Sequence, residues 1–382
     1  MTNIVEDEAI TTTERIKTAA DKLDRAQGQP KVFVGFDGFL DTILHVVDSR
    51  LDTHRYTRMD SMAAYADRIK AAAGYSANIE LVPQQIKLGG NGPIMADGLH
   101  HLGCRITYAG CIGAPEVHPV FSDFAAACDR VISMSNPATT DALEFVDGKL
   151  LMGQMQNLEE VNWSNLLSQM STGELMALVD QLDMIAAVNW TMLPAMNEIL
   201  KGLQEVLGAA NRRLWFFIDL ADPRKRTPED IREVLELISA MQAEADMILG
   251  MNEQESAQVE QVLLGETDMD LRNRALRIRE TLQIKYAVIH PLRSAYVAGQ
   301  TGESHLEGPY APSPVLTTGA GDTFNAGFCR GLLAGLEPEE AIGSGVCASG
   351  FYVRNARPPS LAELADFMRQ WSDADCCPVY NA

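Results

Sequence analysis

Thr317-Thr318-Gly319-Ala320-Gly321-Asp322-Thr323-Phe324-Asn325-Ala326-Gly327-Phe328 sets a carboxylate at the end of a short glycine loop that feeds a helix. Gly319 and Gly321 let backbone amides approach a ligand with no Cβ in the way. The helix points its free N–H groups and partial positive charge at the same spot. That combination is an anion site, most naturally for phosphate. Asp322 adds nothing to anion binding. It suits a base that takes the proton from a hydroxyl attacking that phosphate. The plain alternative is an Asp that only caps the helix.

Three further clusters carry polar chemistry. In Gly35-Phe36-Asp37-Gly38-Phe39-Leu40-Asp41, Asp37 and Asp41 can accept hydrogen bonds from the hydroxyls of a polyol, or Asp37-Gly38 can be an ordinary turn. In Leu88-Gly89-Gly90-Asn91-Gly92-Pro93-Ile94-Met95-Ala96, three glycines in four residues exceed what a turn needs and favour a ligand. In Gly250-Met251-Asn252-Glu253-Gln254-Glu255, Asn252 can touch phosphate oxygens and Glu255 can hold a water on magnesium. Read alone, that last cluster is a helix cap. Gly327, Gly331 and Gly335 give the helix after Asp322 a smooth side beside a Phe324, Phe328, Leu332 stripe, a pattern for close helix packing. The chain has no G-x-x-x-x-G-K-[ST], no G-x-G-x-x-G after the first strand, no G-x-S-x-G and no H-E-x-x-H.

The elements that must hold these clusters alternate. Lys31–Gly35, Ile106–Ala109, Met184–Val188, Leu214–Asp219, Met247–Leu249 and Tyr286–His290 read as buried strands. Helical patterns at Pro93–Leu102, Gly173–Leu182, Leu193–Leu207, Pro228–Ala245 and Arg272–Thr281 separate them. The alternation predicts an α/β fold with a mostly parallel central sheet between helical layers. Residues 42–88, helical at Met62–Ala73, and residues 139–158, a hairpin turning at Asp147-Gly148, are expected to form a small lid over the sheet's C-terminal edge. Residues 1–30 read as an extension with an amphipathic helix through Ile16, Ala19, Ala20 and Leu23, and 371–382 as a tail. Of 382 residues, 31 are Lys or Arg and 52 are Asp or Glu, a net charge of −21 that repels nucleic acid and anionic membranes. Seven cysteines without C-x-x-C or zinc spacing, and no signal-peptide or spanning pattern, predict a reduced cytoplasmic protein.

In their order along the chain these clusters resemble the ribokinase-like (PfkB) carbohydrate kinases over residues 31–357, most specifically at Thr317–Gly327. The resemblance implies a three-layer α/β/α kinase domain over 31–370. It implies transfer of the γ-phosphoryl of ATP to a hydroxyl of an unphosphorylated sugar or polyol, with Mg2+. It makes Asp322 the catalytic base and the amides of Gly319, Ala320 and Gly321 an anion hole. Asn252, Thr318, His290 and Arg293 would meet the nucleotide, and Glu255 the magnesium through water. Asp37, Asp41, Gly89, Gly90 and Asn91 would face the sugar. Ile94, where many members have Asn, and His290-Pro291-Leu292-Arg293, in place of a glycine-rich turn, look more like the ADP-dependent sugar kinases, so ADP stays open as donor. A nucleoside acceptor walled by Phe36, Phe39 and Tyr56, and a non-catalytic sensor, are the other readings. A lid strand with an open edge can pair across a homodimer.

Overall fold

The computed structural model describes residues 3–26, 28–265 and 268–373, so the tail beyond Asp373 lies outside it. In chain order the strands begin with β1 (Lys31–Gly35), β2 (Phe39–Arg50), β3 (Tyr56–Arg58), β4 (Leu81–Gly89), β5 (Arg105–Gly110), β6 (Arg130–Ser133) and β7 (Ala138–Phe145). They continue with β8 (Gly148–Gln154), β9 (Met184–Ala187), β10 (Trp215–Asp219), β11 (Asp246–Met251), β12 (Tyr286–Ile289), β13 (Ser294–Gly299) and β14 (Gly302–Glu307). The helices begin with α1 (Asn3–Arg25), α2 (Met62–Ala71), α3 (Asn91–His101), α4 (Ser122–Ala127), α5 (Trp163–Gln169), α6 (Thr172–Val179) and α7 (Met196–Ala209). They continue with α8 (Pro228–Met241), α9 (Glu253–Leu264), α10 (Leu271–Leu282), α11 (Ala320–Leu333), α12 (Pro338–Asn355) and α13 (Leu361–Asp373).

Among the described residues, nine strands form one sheet in the order β14-β13-β12-β11-β10-β9-β1-β5-β6. From β12 to β6 every pairing is parallel; β13 and β14 close the far side as an antiparallel hairpin. The strands are buried on both faces, which is why they read as near-continuous apolar runs. Their period of two sends alternate side chains to opposite layers. Phe33, Ile185, Phe216 and Leu249 join one core with α6, α7 and α8. Val32, Val34, Phe217 and Ile248 join the other with α1, α3, α11, α12 and α13. The strand order reverses between β1 and β9. That is the place where an open α/β sheet leaves a crevice at its C-terminal edge. Asp37 follows β1, Asn189 follows β9, Asp219 ends β10, Asn252 follows β11 and His290 follows β12, so the polar residues collect on that one edge.

The lid is a second sheet in which β2 pairs with β3, β4 and β7, and β7 with β8. Its own core of Leu44, Val46, Met59, Leu143 and Phe145 sits with Tyr65. The hairpin turn is shifted by one residue from the expected Asp147-Gly148. Phe145 pairs directly with Gly148, which leaves Val146 and Asp147 in the loop. The reason is tertiary: the Asp147 carboxylate accepts from the amide of Met62 at 2.9 Å, at the start of α2. α1 joins the helical layer with α12 and α13. Ile16, Ala19, Ala20 and Leu23 are buried, and Lys17 and Lys22 pair with Asp373 at 2.6 Å and Glu340 at 2.7 Å.

Candidate active site

Asp37 is fully buried, and its carboxylate accepts from the amides of Asn91 (2.9 Å) and Gly92 (2.8 Å) and from Asn189 Nδ2 (2.6 Å). Burial pushes its pKa up to about 6, against the pull of these donors. Asp37, expected to face a sugar, here holds the start of α3 and is not among the residues that line the neighbouring cavity. The glycines around the start of α3 make room for the carboxylates of Asp37 and Asp41. A Cβ on Gly89 would collide with the Asp41 carboxylate, and one on Gly92 would lie 2.7 Å from Asp37 Oδ1. Gly89 thus admits a carboxylate, and Gly90, at φ 102, bends the chain over Asp37. Asp41 lines a cavity of about 350 Å3 with Asn91, Thr140, Asn189 and Thr318. Burial raises its pKa, and Lys87 and Thr140 oppose that rise.

Asn189 and Asp219 were not found from the sequence. Asn189 is 3% exposed in a left-handed conformation (φ 61), and its Oδ1 has no partner. Both residues are polar and directly end a buried strand at the ligand-binding edge, which is the signal that marks them. Thr318, expected to meet the nucleotide, lines the same cavity as Asp41, its carbonyl accepting from the Tyr352 hydroxyl at 2.9 Å. Lys87, Lys149 and Lys225 also line the cavity. Of the aromatic residues suggested for a nucleoside base, Phe36 is in the core, Tyr56 is hydrogen-bonded to His45 within the lid, and Phe39 lines the cavity.

Asp322 stands in the first turn of α11. Gly319 precedes that helix at φ 90, and a Cβ there would lie 2.8 Å from the Tyr352 hydroxyl and 3.0 Å from Ile94 Cγ2. Only glycine fits this bend. Ile94 therefore packs under the turn. Of the three expected amides, that of Ala320 donates to the Thr317 carbonyl at 3.1 Å, while those of Gly319 and Gly321 make no backbone hydrogen bond. Asn91 Nδ2 donates to Asp322 Oδ1 at 2.9 Å, joining the Gly-Gly loop to the α11 turn. Burial raises the Asp322 pKa to about 7; Asn91 opposes this, and the charges of Asp37 and Glu255 reinforce it.

On the other side of the turn a cavity of about 300 Å3 is lined by Asn252, His290, Arg293, Tyr310, Phe324 and Ser349, with Gly321 at its floor. His290 packs against Phe324 with ring centroids 4.7 Å apart and the planes tilted by 33°, is kept neutral by burial that lowers its pKa to about 4, and leaves Nε2 without a partner. Arg293 lies over the Tyr310 ring at 3.9 Å. Asn252 and Glu255 form a reciprocal capping box at 2.7 and 2.9 Å, and Glu255 also accepts from the amide of Asp222 at 3.0 Å. Asp219 accepts from Ala221 N (2.8 Å) and Asn325 Nδ2 (2.9 Å). Burial, with the charges of Glu255 and Asp322, drives its pKa well above its ordinary value. Among the described residues no three His, Cys, Asp or Glu side chains converge to ligate a metal directly. The buried and mutually repelling Asp219, Glu255 and Asp322 fit a divalent cation held through water, whose charge would relieve them.

A model of the family described as prokaryotic ketohexokinase matches residues 7–371. A ketohexokinase of Haloferax volcanii is 26% identical over 367 residues, 95% of this chain and 97% of that protein. A ribokinase from Thermotoga maritima superposes with a TM-score of 0.61 at 17% identity, covering 89% of this chain and 99% of that one. A probable sugar kinase from Rhizobium etli gives 0.63 at 20% identity, covering 90% and 98%. These two structures share the three-layer fold found here.

Proposed function

The chain belongs to the prokaryotic ketohexokinase family of ribokinase-like carbohydrate kinases, and from that premise we propose that it transfers the γ-phosphoryl of ATP to a hydroxyl of an unphosphorylated ketohexose. One observation carries the residue assignments: two cavities flank a single turn, and the base stands on that turn. The acceptor side offers Asp41, Asn91 and Asn189 to sugar hydroxyls. The donor side offers His290, Arg293 and Asn252 to the nucleotide. Asp322 takes the hydroxyl proton as the oxygen attacks phosphorus and the bond to the ADP oxygen breaks. Asn91 aims the Asp322 carboxylate, and the Gly319 and Gly321 amides meet the charge on the transferring group. Magnesium, when bound, would spread positive charge over the phosphates, held through water by Glu255 and Asp219. The lid excludes water, a competing acceptor.

The lid edge supports a pairing of two copies: Leu150, Leu151 and Met152 on β8 are 39%, 63% and 51% exposed. A monomer mass by light scattering would remove that pairing. The described cysteines are all free thiols, and no described helix is long and apolar enough to cross a membrane; both agree with a cytoplasmic placement. Asp322→Asn tests the assignment of the base. Turnover should fall by about 10²–10⁴-fold, the usual contribution of a positioned base, while ketohexose still raises the melting temperature. Near-normal turnover in that variant sinks the role of Asp322.

A further inference from the structure

We infer that two arginines outside the cavities, Arg226 and Arg354, are positioning residues, each fixing the wall of one substrate cavity independently of the other. Arg226 donates from Nε to the Thr191 carbonyl at 3.0 Å, and from Nη2 to those of Leu193 at 2.8 Å and Trp190 at 3.3 Å. Its guanidinium lies 4.8 Å from the Trp190 ring. Arg354 donates from Nη1 to the carbonyls of Pro309 and Gly350, and from Nη2 to that of Tyr310, each at 2.8 Å. Neither side chain lines a cavity, but the segments they hold do. Asn189, just before the Arg226-bound turn, and Met192, within it, line the acceptor side. Gly308, Pro309, Tyr310 and Ala311 wall the donor side.

Both segments need such a tether. Trp190–Met192 is a single tight turn, and residues 308–319 carry no strand or helix. Isolated backbone bonds reach them, as from Leu193 N to the Trp190 carbonyl and from Gly308 N to that of Arg293, while the carbonyls of Thr191, Pro309 and Tyr310 accept from the two guanidiniums. A planar guanidinium satisfies three acceptors at once in a fixed geometry, which a lysine ammonium on a flexible stem does not reproduce. The acceptor tether also reaches the chemistry. The Arg226-bound turn follows Asn189, which holds Asp37, which in turn holds the amides of Asn91 and Gly92. The donor tether fixes Tyr310, on which Arg293 stacks.

This inference rests on the assignment of the two cavities to sugar and nucleotide. Its test is a crossed measurement with fructose and ATP as probes. Arg354→Ala should raise the KM for ATP about tenfold or more, the effect of losing charge-assisted hydrogen bonds. It should leave the KM for fructose within about twofold, as expected for separate sites. Arg226→Ala should do the reverse. Arg354→Lys and Arg226→Lys should stay impaired in the same direction, and millimolar guanidinium should restore part of each alanine variant's loss. The same split is read without turnover as the shift in melting temperature produced by each ligand. A wild-type protein without kinase activity that keeps the split in binding would sink the kinase reading and leave this one standing. Equal rises in both KM values in either variant, or a fall in kcat alone, would overturn it.

Discussion

At neutral pH the Asp322 carboxyl is close to half ionised, because burial and the charges of Asp37 and Glu255 raise its pKa to about 7. A base must be deprotonated to act, so kcat/KM for the sugar should rise with pH up to about 7 and then level off. The apparent value belongs to the interacting carboxylates together. A flat profile between pH 5 and 8 (a range of about three units around that value) would contradict the assignment. Stability runs the other way. The unfolded Asp ionises near ~4, so the native state's advantage is complete below that pH and is lost as pH rises through the folded value. Asp322→Asn removes this loss. The variant should melt above the wild type at alkaline pH, and the gap should close in acid. Thermal melts at both ends check this, and a variant less stable than wild type at alkaline pH would show that the ionised carboxylate stabilises the fold.

Between α11 and α12 the glycine stripe divides into two roles. A Cβ on Gly327 would lie 2.6 Å from that of Ala348, and one on Gly331 3.1 Å from Ala341 Cα, so both bring the helices together. Gly335 has open space around it and ends the helix at φ 78. Gly327→Leu should therefore lower stability by about 1–3 kcal/mol or more through overpacking, whereas Gly335→Asn should be mild because Asn tolerates the left-handed conformation. Urea melts of the two variants separate the roles. Elements with a strong local pattern were legible from the sequence: the parallel strands other than β6, with α3, α7, α8 and the α11 loop, sit within a few residues of expectation. What escaped was set by distant partners. Asn189 meets Asp37 across 152 positions of sequence. Gly89 makes room for Asp41, which no local turn rule reveals. Asn252 and Glu255 form the helix cap their spacing suggests, and their caps do not disclose the cavities on either side of them.

The whole molecule carries a net charge of −21, and its donor is an anion. Long-range repulsion should slow the approach of nucleotide at low ionic strength, so adding salt up to the physiological range should raise kcat/KM for ATP. A fall instead would mean that the cations near the cavities outweigh the global field. The fold also ties its beginning to its end. Arg369 on α13 reaches Asp21 (3.0 Å) and Asp24 (2.9 Å) on α1, and Ile16 packs against the α12 side of the same layer. During synthesis the first helix emerges hundreds of residues before the helix that covers it. Its apolar stripe must therefore wait, uncovered, until the chain leaves the ribosome. A nascent or truncated chain lacking α13 is the form of this protein that a chaperone would hold.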